Sequence, residues 1–221
     1  MTNFARLALA LLLTVAFLLL AATGGPSSGW DPAVAARFGQ LRVDAPEVVW
    51  WAALFTAVGG APVTLGAALI ATLWLLAKRL KGKALLLTAT VLAERLLVEL
   101  LKEGFGRPRP QVEHLPTSLA FPSGHAANSM TTYLALALIA ASTRYRRTAI
   151  MLAIAITLAV GLTRLVLGVH WASDVIGGWI FGLLAVGLAE TIGERSGALR
   201  LEAKHDIVAR HGATFDRDET A

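Results

Sequence analysis

Three short polar clusters interrupt an otherwise apolar chain, and their side chains suit a multiply charged oxyanion. LKEGFGRPRP carries Lys102, Arg107 and Arg109; FPSGHAANSM carries Ser123, Gly124 and His125; TRLVLGVHWASD carries Arg164, His170 and Asp174. Pro122 ahead of an apolar helix sets up a helix N-terminus at Ser123–Gly124, whose unpaired backbone N–H groups and dipole favour an anion. His125 falls in that first turn, where a cation is disfavoured unless an anion is close. His170 and Asp174 are four apart at the start of the last apolar run and share one helical face. Asp174 leans back toward His170, so its carboxylate can fix the imidazole tautomer and leave the other ring nitrogen free to attack.

Each cluster alone has a plainer reading. Ser123 fits an ordinary helix N-cap, and His170 with Asp174 fits a polar pair at a membrane interface. An Asp at the hydrocarbon edge is costly without a purpose, which favours the chemical reading. Lys102, Arg109 and Arg164 each fit a snorkelling anchor, the reading retained for Arg107. Together with the Ser123 terminus they form a cradle, and guanidinium forks suit phosphate. A metal centre competes on ligand types, but three nearby cations would repel a divalent ion and no HExxH-type spacing occurs. A metal-free and cofactor-free site is expected.

The elements that must hold these clusters are membrane spans. The 221 residues are 56% hydrophobic and 16% charged, well short of the roughly 25% charge of soluble domains. There is no cysteine, which excludes disulfides and thiolate chemistry. Apolar runs of about 20 residues, the length a bilayer requires, occur at 4–23, 48–77 (broken by GGAP at 59–62), 84–103, 123–142, 148–167 and 171–192. Within the second, VVWWAALF is expected to lie obliquely at the interface, where Trp is favoured. An all-α, six-helix membrane bundle over 1–192 is expected, followed by a polar cytoplasmic tail over 193–221. The first run also fits a signal peptide; it is long for one and no A-x-A site follows, so a retained helix is expected. KRLKGK (78–83) and TRYRR (143–147) are short and basic, hence cytoplasmic. The connections 24–47, 104–122 and 168–170 then face outward, and both termini lie inside. All three polar clusters fall at outward ends, although none of their residues entered the charge rule. The net charge of +5 thus marks topology rather than a nucleic-acid surface.

Lys102 with six residues before Arg109-Pro110, then Pro122-Ser123-Gly124-His125, then Arg164 with five residues before His170 and three more before Asp174 resembles the type-2 phosphatidic acid phosphatase superfamily. That family includes membrane lipid phosphatases and, more distantly, soluble vanadium haloperoxidases; six apolar spans disfavour the latter. Thr163 stands where the family usually has Ser and keeps the hydroxyl. The resemblance implies phosphate bound by Lys102, Arg109, Ser123, Gly124 and Arg164, attack by His170 oriented by Asp174, and His125 as general acid and then base. It implies a lipid phosphate drawn from the bilayer at the outer face of a bacterial inner membrane: undecaprenyl pyrophosphate, phosphatidylglycerophosphate, phosphatidate or a lipid A phosphate. A lipid phosphotransferase would use the same groups. A non-catalytic lipid-binding or transport protein is weaker, since every catalytic position is filled.

Some residues stay open. Arg95 and Glu99 are spaced to pair, and Glu99 is one turn from Lys102, so structural pairing and support of the site are both compatible with Glu94, Arg95 and Glu99. Glu113 and His114 are expected as solvated loop residues, Asn128 as a partner to a neighbouring helix, and Trp171 as an interface anchor.

Overall fold

A computed structural model describes residues 2–110, 119–142 and 144–199. Among them lie eight α-helices and no strand: α1 (Asn3–Thr23), α2 (Asp31–Asp44), α3 (Glu47–Thr56), α4 (Ala61–Ala77), α5 (Lys81–Phe105), α6 (Gly124–Ala135), α7 (Arg146–Val166) and α8 (Ala172–Arg195). Each expected span coincides with helix. The GGAP joint separates α3 from α4: a 3-10 turn, Ala57–Gly59, ends at extended Gly60, and Pro62 opens α4 where a missing N–H costs nothing. Trp50 and Trp51, stacked edge to face, are each 60% exposed on α3.

Among the described residues, four helical stretches are long and apolar enough to cross a membrane: Asn3–Thr23, Glu47–Ala77, Arg146–Val166 and Ala172–Arg195. The other two expected spans fall short of that standard for different reasons. α5 carries Glu94, Arg95, Glu99, Lys102 and Glu103 in its second half, and α6 has 12 residues before a π-helical turn at Leu136–Ala140. α6 is instead the interior helix, packed against α8, α7, α5 and α4. Close approach to α8 requires small residues. A Cβ on Gly178 would meet Ser123 O at 2.6 Å, and one on Gly182 would meet Met130 Cβ at 2.7 Å, the small-xxx-small device of helices that pack without a hydrophobic drive between them.

The connection 24–47 contains a helix that the apolar pattern does not announce. α2 begins at Asp31-Pro32, a helix-start signature, and lies against α7 and α8. At the other end of the chain α8 continues past Ile192 to Arg195, and Leu199 folds back beside Gly193 and Leu86. The rest of the expected tail, 200–221, lies outside the described residues.

Candidate active site

The two histidine motifs meet through the backbone. Ser123 N–H donates to Asp174 C=O at 2.9 Å, which binds the start of α6 to the first turn of α8. This alters one expectation: the Ser123 N–H is committed, so the donors left at the helix mouth begin with Gly124. Ser123 sits at the N-cap, but its hydroxyl makes no cap hydrogen bond. The Ser123 Oγ is buried and has no partner among the described residues, unlike a serine placed only to cap. A Cβ on Gly124 would lie 3.4 Å from Lys102 Nζ and 3.9 Å from Asn128 Nδ2, so the bare glycine leaves a floor beneath both. His125, in the first turn of α6, packs against the glycine joint before α4, where a Cβ on Gly60 would be 3.8 Å from its Nε2.

His170 lies in the turn between α7 and α8, 4% exposed, with Nδ1 3.4 Å from Asp174 Oδ2, at the long end for such a contact. Asp174 is fully buried and saturated with donors. Its Oδ2 also accepts Trp171 N–H at 2.8 Å, and its Oδ1 accepts Arg107 Nη1 at 2.8 Å. Burial pushes the His170 imidazole down to about 4; the Asp174 carboxylate pulls the other way, and Arg109 and Arg164 add to the depression. At neutral pH the ring is therefore uncharged, the state a nucleophile needs.

Arg109 and Arg164 approach both histidines, and Lys102 approaches His125. His125 also lies within electrostatic reach of His170. Arg164, 9% exposed near the end of α7, donates from Nη1 to Thr56 Oγ1 at 2.8 Å, and its Nε is buried without a partner among the described residues. Arg109 Nη1 donates to Val169 C=O at 2.9 Å, which pins the chain after α5 to the turn that carries His170. Lys102 pairs with Glu99 at 2.7 Å. Thr163, in the position where the family usually has Ser, donates its hydroxyl to Val160 C=O at 2.5 Å inside α7. A cavity of about 320 Å³ opens beside His170, bordered by Phe38 and Arg42 of α2, Pro110, Leu165 and Trp171.

Two residues expected at the interface belong to the interior. Arg107 is 6% exposed. Besides Asp174 it donates to Ser173 Oγ at 2.8 Å and to the Leu20 and Ala21 carbonyls at the end of α1, each at 2.7 Å, and it stacks 4.3 Å over the Phe121 ring. Its neighbour Arg109, two residues on with the same chemistry, faces the site instead, and charge counting could not separate the two. Trp171 is buried and donates Nε1–H to Pro108 C=O at 2.8 Å. Of the open acidic and basic residues in α5, Glu99 takes Lys102, whereas Arg95 turns to Thr64 Oγ1 across the α4–α5 contact. Glu94 faces an apolar cavity between α5 and α8, with neither carboxylate oxygen hydrogen-bonded among the described residues. Asn128 Oδ1 is likewise unpartnered there, so its expected helix partner is not found. Glu113 and His114 lie outside the described residues. The residue that sequence reasoning missed altogether is Asp31, fully buried beneath α8; its only local signal was the Asp-Pro pair.

Comparison with known proteins gives this arrangement its relatives. Residues 83–196 match the model of the PAP2 superfamily; the match covers more than half of the chain, and the protein belongs to that superfamily. Among curated proteins, phosphatidylglycerophosphatase B of Bacillus subtilis is 34% identical over 109 residues, covering 46% of this chain and 54% of the relative. A lipid A 1-phosphatase of Rhizobium etli is 37% identical over 108 residues, covering 43% of this chain and 44% of the relative. The matches thus span about half the length of these curated relatives. Among solved structures, the crystal structure of a transmembrane PAP2-type phosphatidylglycerolphosphate phosphatase from Bacillus subtilis superposes with a TM-score of 0.77 at 28% identity, covering 84% of this chain and 96% of that one. The fold is that of a multi-pass membrane protein.

Proposed function

We propose that the protein is a metal-independent lipid phosphatase that hydrolyses a lipid phosphate monoester or pyrophosphate through a phosphohistidine. The observation that carries this reading is the 2.9 Å bond from Ser123 N–H to Asp174 C=O, because it ties the start of α6, with its free N–H groups, to the turn of α8 that carries the His170–Asp174 pair. Phosphate oxygens would rest on Lys102, Arg109, Arg164, the unpartnered Ser123 Oγ and the N–H groups from Gly124 onward. Such preorganised donors stabilise the charge of the pentavalent state without reorganising. His170, its Nδ1–H held by Asp174, attacks phosphorus through Nε2. As the P–N bond forms, the bond to the lipid oxygen breaks, and protonated His125 gives its proton to that oxygen; phosphate in the site favours the charged form of His125. A water then attacks phosphorus on the opposite side. His125 takes its proton, the P–N bond breaks, and inorganic phosphate leaves with His170 restored.

Lipid substrates follow from the setting, since a site at the end of a membrane bundle can receive a headgroup while the tail stays in the bilayer. The relatives' names favour a glycerophospholipid phosphate or a lipid A phosphate, and an isoprenyl pyrophosphate offers the same chemistry. The test is phosphate release in detergent, with chelator present, from phosphatidylglycerophosphate, phosphatidate, undecaprenyl pyrophosphate and lipid A phosphates. At least one should be hydrolysed, and His170→Ala should abolish release. Full turnover by that variant would overturn the mechanism.

A further inference from the structure

The His170–Asp174 pair does not end at Asp174. Arg107 Nη1 bridges Asp174 Oδ1 and Ser173 Oγ, each at 2.8 Å. Ser173 has a single hydroxyl proton, and its Oγ lies 2.5 Å from Asp31 Oδ2, so the hydroxyl accepts from Arg107 and donates to Asp31. The direction of every bond is thereby fixed: Asp31 accepts from Ser173, Ser173 accepts from Arg107, and Arg107 donates to Asp174. Asp31 also accepts Ser173 N–H at 2.9 Å and Gly25 N–H at 2.6 Å. Three donors therefore converge on one fully buried carboxylate.

The contact with Ser173 N–H has a second consequence. The N-cap of α8 is Trp171, which has no side-chain oxygen with which to satisfy the first-turn donors. Asp31, 142 residues earlier in the chain, supplies that acceptor and places a negative charge at the positive end of the helix. The fit is tight. A Cβ on Gly24 would lie 2.3 Å from Ser173 Oγ, so the chain between α1 and α2 passes this point only because residue 24 lacks a side chain.

We propose that Asp31 is a positioning residue for the nucleophile, acting through Ser173 and Arg107 to hold Asp174, and with it the His170 ring, in the attacking orientation. This inference rests on the phosphohistidine reading above. Asp174 hangs on the first turn of α8, and Asp31 fixes both that turn, through Ser173 N–H, and the guanidinium that occupies the second carboxylate oxygen. The side-chain bonds of this chain end at Asp174 and go to none of Lys102, Arg109 or Arg164. Its one link to the start of α6 is through the backbone, where Asp174 C=O accepts Ser123 N–H, and the donors from Gly124 onward are untouched. Loss of Asp31 should therefore loosen the nucleophile and leave ground-state anion binding alone.

The experiment compares Asp31→Asn, Ser173→Ala and His170→Ala with the parent protein in detergent micelles, using dioctanoyl phosphatidic acid as substrate. Orthovanadate serves as the five-coordinate mimic that bonds to the nucleophile, and inorganic phosphate as the ground-state competitor. An amide at 31 turns a donor toward partners that are all donors. Asp31→Asn should lower kcat roughly 10- to 100-fold, as loss of an orienting partner does elsewhere, with KM unchanged. Its vanadate inhibition constant should weaken in parallel, whereas that of phosphate should hold. Ser173→Ala should shift the same quantities in the same direction by less, and it carries the test alone if Asp31→Asn fails to fold. Parental kcat and vanadate inhibition in a folded variant would overturn the proposal. So would a parallel loss of phosphate binding, vanadate binding and melting temperature, which would reduce Asp31 to a structural role. Turnover by His170→Ala would sink the phosphohistidine reading instead, a separate result.

Discussion

At the scale of single residues, the site is governed by what happens to buried charge. Asp174 and Arg107 are almost wholly removed from water, and each is the other's opposite charge at 2.8 Å. Removing one partner of such a pair leaves an uncompensated charge and costs about 3–5 kcal/mol. Arg107→Ala should therefore be among the most destabilising single changes at the site, read as a fall in the thermal midpoint in detergent, whereas a snorkelling anchor would lose little. The His170 ring makes a different prediction. With its native pKa pushed down to about 4 by burial and an ordinary unfolded value near 6.5, the unfolded chain binds a proton between those values that the native protein refuses. Stability from this group is complete above about pH 6.5 and declines as pH falls toward 4. The thermal midpoint should drop across that window, and His170→Gln, which has no proton to take up, should flatten part of the drop. A curve of unchanged slope in the variant would show that the ring is not held neutral by its surroundings.

At the scale of elements, the proposed chemistry depends on how closely α6 can approach α8, because the two motifs they carry are joined by one backbone bond. Gly178 sets that distance: a methyl group there would press on Ser123 O at 2.6 Å and Ala126 Cβ at 2.9 Å. Overpacking of this kind costs roughly 1–3 kcal/mol. Gly178→Ala should accordingly melt a few degrees lower yet lose phosphate release by a larger factor than its stability suggests, since the displacement falls on the Ser123–Asp174 bond. Equal activity at lowered stability would place the site's precision elsewhere. The same elements explain what could be read in advance. Helical spans and the spacing of Lys102, Arg109, Ser123, His125, Arg164, His170 and Asp174 are local or periodic signals, and the sequence carries them openly. The inward turn of Arg107 and Trp171, the switch of Arg95 from Glu99 to Thr64, and the capping of α8 by Asp31 are decided by contacts between distant segments. No period or motif encodes those. α2 was hidden for a third reason, since DPAVAARFGQLRVD mixes charged and small residues and holds no long apolar run.

At the scale of the whole molecule, the site and the basic connections occupy opposite ends. α5 runs from the Lys78–Lys83 connection to the Lys102 end over 25 residues, about 37 Å at the rise of an α-helix. α7 runs the same way, from Arg146 to Arg164. Arg6–Glu194 and Arg146–Glu190 pairs mark the far end, and the Asp31–Arg107–Asp174 chain marks the near one. If short basic connections stay in the cytoplasm, the phosphate cradle opens to the outside, and the α1–α2 connection lies beside it. The protein has no cysteine of its own, so single thiols report position without background. Ser27 and Lys78 are both exposed and lie at opposite ends. In intact spheroplasts a membrane-impermeant maleimide should label Ser27→Cys and leave Lys78→Cys untouched until the membrane is opened with detergent. The reverse pattern would place the cradle inside the cell, where it would draw lipid phosphates from the inner leaflet.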